Sequence, residues 1–117
     1  MIEELVGRVF TTRNISHLQH FSTKSYAQHM ALGAFYDGVI DALDTLVEAY
    51  QGQFALLGQV EFPAPEVTDI LDHLQEEADW IESNRDEISG GSSSVANLVD
   101  SLVAVYLSAI YKLTNLK

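Results

Sequence analysis

The chain has 117 residues, enough for one domain with a real hydrophobic core. A net charge of −11 lacks the basic footprint of a duplex-DNA or polyanion binder, and 47% hydrophobic residues is too apolar for an acidic disordered tail. With no cysteine there are no disulfides, no thiolate nucleophiles and no Cys-rich zinc sites.

Four segments repeat their apolar residues at helical spacing, and no period-two run competes with them. The first, about Ile2–His20, carries Ile2, Leu5, Val6, Val9, Phe10, Ile15 and Leu18. Its start is acidic, unlike the basic start of a signal peptide. The second, about Thr23–Tyr50, carries Leu32, Tyr36, Val39, Leu43, Leu46 and Tyr50, with Ser22 or Thr23 suited to cap its start and Gly52 its end. The third, about Pro65–Ile88, carries Val67, Ile70, Leu71, Leu74, Ala78, Ile81 and Ile88, with Pro65 in the first turn. Gly90, Gly91 and the serines after them mark a loop. The fourth, about Ser94–Asn115, carries Val95, Leu98, Leu102, Val105, Tyr106, Ala109, Ile110 and Leu113. Its longest apolar stretch, Leu102–Tyr111, is too short to span a bilayer, so a soluble cytoplasmic protein with no membrane partner is expected. These segments predict an all-α four-helix bundle. The short first and third connections make antiparallel hairpins. The link Gln51–Ala64 is long enough to cross the bundle between the second and third helices.

Candidate metal ligands gather in the first two helices. His17 and His29 flank the first turn, so an antiparallel hairpin brings them to similar height. Asp44 and Glu48 are four residues apart and share a face of the second helix. Two carboxylates on one face of a bundle helix need water, a partner or a metal. His29 and Asp44 lie about 22 Å apart along one helix, so a site using all four residues needs a second chain. Two antiparallel copies of this helix, related by a twofold near residues 37–38, would set His29 of one opposite Asp44 and Glu48 of the other. Ala34, Gly38 and Ala42 form a ridge of small residues that suits such a close approach, with Gly33 beside it. Imidazole and carboxylate donors without thiolate suit Fe(II), Mn(II) or Zn(II).

Nearly the whole chain resembles the Dps-type mini-ferritins. The family pattern has a His near the end of the first helix and a second twelve residues on. An Asp-x-x-x-Glu follows in the second half of the second helix. His17, His29 and Asp44 to Glu48 stand at those spacings, and Asp72 to Asp79 resembles the family's third helix. The resemblance implies a ferritin-like bundle whose second and third helices are joined by a crossover. It implies Fe(II) oxidation by peroxide or oxygen at sites shared across a dimer twofold, with iron stored in a twelve-subunit shell. His17 and His29 would come from one subunit, Asp44 and Glu48 from its partner. The chain departs from the pattern at Gly33, where the family has an acid, and at Leu18, where it has an aromatic beside the first His. The link leaves room for little more than a turn at Gln53–Leu57, and the family's Lys-rich tail is missing, so nucleic-acid binding is not expected. The alternative is a non-catalytic ferritin-like scaffold or interaction protein.

Of the remaining candidates, His20, one turn from His17, is read as an outer partner of that histidine or, preferably, as a surface or interface residue, and His73 is expected in solvent among the acids of the third helix. Asp37 and Asp41 are expected near an interface or cavity. Trp80 and the tyrosines are expected to anchor the core or an interface. The acids crowded on the third helix, Glu66 to Glu87, read as a solvated face or a cation-attracting wall.

Overall fold

The computed structural model describes residues 1–117. It is all-helical, with α1 (Ile2–Ser22), α2 (Tyr26–Gln53), α3 (Ile70–Ser83), α4 (Arg85–Ser89) and α5 (Ser93–Asn115). The four long helices match the four periodic segments, and the boundaries shift where capping chemistry differs from expectation. Ser25, not Ser22 or Thr23, caps α2: its Oγ accepts from the Gln28 N–H at 3.2 Å. Thr23 Oγ1 instead accepts from the Ser25 N–H at 3.1 Å and shapes the turn. The helix runs through Gly52 to Gln53 before Phe54 ends it.

The third segment is corrected most. Its helix starts at Ile70, where Asp69 accepts from the Asp72 N–H at 3.1 Å; residues 65–69 are not helical. It also breaks at Asn84, whose amide nitrogen donates to the Trp80 carbonyl at 2.8 Å, competing with the helix as short polar side chains do. The short α4 then ends at Gly90, with φ 59°, a left-handed conformation that favours glycine.

In the stretch Gln53–Leu57, Gln53 ends α2 and residues 54–57 lie beyond it; residues 54–69 form no helix. They return along α1 in its own direction. Gly58 N–H donates to Glu3 at 3.0 Å, the Phe62 ring meets Phe10, and Thr11 Oγ1 donates to the Pro63 carbonyl at 3.3 Å. Gly7 admits this segment, because a Cβ there would collide with the Glu61 carbonyl. The return sets α3 beside α1 and antiparallel to it, with His73 opposite Thr12 and Glu77 opposite Arg8.

Around the bundle, α1 packs on α2, α2 on α5, α5 on α3 and α3 on α1. One core runs between them, with Tyr106, Phe35, Leu5, Leu43, Leu74 and Ile81 fully buried. The whole of α5 is long and apolar enough to cross a membrane by length and composition, beyond the shorter stretch Leu102–Tyr111. In this fold its Val95, Val99, Leu102 and Tyr106 are core residues.

Candidate metal centre

The α1–α2 hairpin brings His17 and His29 to the same end of the molecule, as the first turn predicts. It adds a third imidazole between them. His20 has its ring 6.1 Å from that of His17 and 3.7 Å from that of His29, stacked on the latter. His20 is therefore a partly buried member of the cluster. His17 is stacked on Tyr36 at 3.9 Å and lies 4.6 Å from Phe21, while Arg13 covers the Tyr36 ring at 5.0 Å. Desolvation of the His17 ring, with the charge of Arg13 and the neighbouring His20, holds its pKa below the ordinary imidazole value. Its neutral, metal-binding form is favoured accordingly.

His29 is oriented by the backbone of α1. Its Nδ1 lies 2.8 Å from the His20 carbonyl oxygen, and His20 Nδ1 lies 2.6 Å from the His29 carbonyl oxygen. A carbonyl oxygen only accepts, so both Nδ1 atoms carry the proton and each neutral ring keeps its lone pair on Nε2. A ring N–H given to a backbone carbonyl is the usual outer support of a metal-binding histidine.

Asp44 and Glu48 stay apart from the histidines. Both are exposed, form no ion pair or hydrogen bond, and border a depression of about 390 Å³ with Val6, Phe10, Val47 and Leu57. They lie on the α1 side of α2, as His29 does. The fifteen residues between His29 and Asp44 correspond to about 22 Å of helix. Within one chain no three His, Asp or Glu side chains are placed to hold a metal ion. The small-residue ridge is a correction: Ala34 and Gly38 face the groove toward α5, with Ala104, Val105 and Ser108, not the side that carries the histidines and acids. Gly33 has a different use, because the His20 ring fills the space above it.

His73 is also corrected. It is 7% exposed, and its Nε2 is 2.9 Å from Thr12 Oγ1. Burial lowers its pKa, Glu77 and Glu76 work against that shift, and Arg8 adds to it. Arg8 grips both Glu77 oxygens at 3.0 and 3.2 Å and lies 4.1 Å above the Trp80 ring. Trp80 thus anchors α1 to α3. The other acids of α3, Asp72, Glu76, Asp79 and Glu82, are solvent-exposed.

Of the two readings of His20, the structure favours a partner of the other histidines over a surface residue. A His one turn from His17 and nine residues before His29 can reach both across a tight hairpin.

The chain belongs to a family of unknown function, DUF5856. That family's model matches residues 20–113, which takes in His20, His29, Asp44 and Glu48 and leaves His17 outside. No curated protein and no solved structure matches the chain.

Proposed function

We propose that this protein is a cytoplasmic, Dps-like iron protein with a ferritin-like bundle and a crossover between α2 and α3. It oxidises Fe(II) at sites built by two copies of the chain and holds the product iron in an oligomeric shell. One observation carries the reading. His29 and the pair Asp44–Glu48 stand on the same side of α2, and both acids lack any partner within the chain. A twofold across α2 near residues 37–38 would set the imidazoles of one copy against the carboxylates of the other. Leu18, Phe21, Tyr26 and Met30, each more than half exposed around the histidines, would be covered by that second copy.

In this reading neutral His17 and His29 give nitrogen donors to Fe(II), and Asp44 and Glu48 hold the ion as its charge rises. Two Fe(II) each lose one electron. The O–O bond of peroxide breaks, accepts both electrons and takes two protons to form two waters. Mn(II) or Zn(II) would compete for the same donors.

The test is Fe(II) oxidation by peroxide in the wild type, His29→Ala and Asp44→Ala, with mass by light scattering. Both variants should lose most of the activity while the wild type is at least a dimer. Unchanged oxidation in both variants, or a monomeric wild type, would sink the reading. Gly33 favours a second reading, a non-catalytic ferritin-like scaffold, since it supplies no carboxylate one turn after His29. A stable oligomer that oxidises Fe(II) no faster than buffer would select that one.

A further inference from the structure

The His20–His29 contact is reciprocal in an unusual way. Each ring donates from Nδ1 to the other residue's backbone carbonyl, at 2.6 and 2.8 Å, and the rings stack at 3.7 Å with planes 19° apart. The His20 carbonyl lies in the last turn of α1, where helix carbonyls have no partner of their own. The ring of His29 satisfies it from α2. The bond from His20 and the stack hold the two backbones at the spacing that makes the return bond possible. Neither Nε2 is hydrogen-bonded within the chain. Gly33 completes the seat: a Cβ there would stand 3.1 Å from His20 Cε1 and 3.3 Å from its Nδ1.

From this geometry we infer that His20 is a positioning residue, which holds His29 as the Nδ1–H tautomer with its Nε2 lone pair free for a divalent metal ion. The inference rests on the reading that His29 binds Fe(II), and it adds a residue which that reading leaves out. It also explains Gly33 as the space this clamp requires.

Two substitutions separate the roles of the two ring nitrogens. His20→Asn keeps a donor where Nδ1 stands; His20→Gln moves the donor to where Nε2 stands. Gly33→Ala leaves both histidines and crowds the ring. The readouts are the ¹⁵N resonances of His29 in the metal-free protein and the affinity for Fe(II) under anaerobic conditions. The wild type and His20→Asn should show the Nδ1–H tautomer at His29 and bind Fe(II) within about threefold of one another. His20→Gln and Gly33→Ala should show mixed tautomers and bind about tenfold more weakly, the usual scale for losing an outer support. A mixed tautomer in the wild type overturns the inference and leaves the iron reading standing. So does a loss in His20→Asn as large as in His20→Gln, which would make His20 Nε2 a donor itself. A wild type that keeps the tautomer but takes up no Fe(II) supports the clamp and sinks the iron reading.

Discussion

Thr12 Oγ1 and His73 Nε2 lie 2.9 Å apart in the buried seam between α1 and α3. Burial makes protonation of this histidine unfavourable in the folded state, with Arg8 on the same side of the balance and Glu76 and Glu77 opposing. Its folded pKa therefore lies below the unfolded value of about 6.5. The unfolded chain binds more protons below that pH. The contribution of His73 to stability is present above about pH 6.5 and is lost as pH falls toward its folded pKa. Urea unfolding at pH 7.5 and 5.5 should show wild type losing stability on acidification. His73→Gln, which keeps a polar nitrogen near Thr12, should lose less. Equal slopes would mean that His73 takes up its proton without cost in the fold.

Arg8 should be intolerant of lysine. Its Nη1 holds both Glu77 oxygens, its Nε donates to Glu4 and its guanidinium lies over Trp80, and one ammonium nitrogen cannot serve all three at once. Arg8→Lys should cost about 1 kcal/mol and Arg8→Ala about 2 kcal/mol, because the alanine leaves the well-covered Glu77 carboxylate unpaired. Adding Glu77→Gln to Arg8→Ala should recover part of that loss. Additive effects across this double-mutant cycle would show that the pair is not coupled.

Two glycines in helices should respond in opposite ways to alanine. At Gly7 the new methyl would collide with the Glu61 carbonyl, so Gly7→Ala should destabilise the fold and free residues 58–63 for proteolysis. At Gly38 nothing lies within 4 Å, so Gly38→Ala should stabilise by about 0.5–1 kcal/mol through helix propensity alone. Loss of oligomer mass in Gly38→Ala would instead place that position in a seam between copies.

The Tyr106 hydroxyl is fully buried and makes no well-formed hydrogen bond; burial and the nearby Glu77 push its pKa up, while Thr12, close enough for a poorly aligned contact, works against that shift. An unpaired buried hydroxyl costs about 1–3 kcal/mol, so Tyr106→Phe should be neutral or stabilising, since the ring keeps its edge contact with Phe35. Thermal unfolding decides it. A clear drop in Tm would show that the hydroxyl has a partner, with Thr12 the nearest candidate.

Much of the architecture is legible in the sequence because helix periodicity is local. The apolar positions of α1, α2 and α5 recur every three or four residues, and most of them are buried. In the third segment Val67 continues the apolar pattern, yet the helix begins only at Ile70, where the Asp69 side chain caps it. The acidic residues around His73 in sequence point to solvent, but the fold buries it. Burial depends on what lies across the helix, and Thr12 lies there.

Composition and periodicity by themselves determined an all-helical acidic domain without thiol chemistry, and spacing alone placed His17, His29, Asp44 and Glu48 as candidate donors. These are properties of neighbours along one chain. The tertiary structure decided what stands across from each residue. It put His20 between the histidines, turned the Ala34–Gly38 ridge toward α5, buried His73 against Thr12 and left Asp44 and Glu48 without partners. The −11 charge, first a reason to exclude polyanion binding, remains mostly on solvent-facing helix surface, where water screens it at little energetic cost. Helix packing sets these choices, because what faces a side chain across the core is supplied by a neighbouring helix distant in sequence.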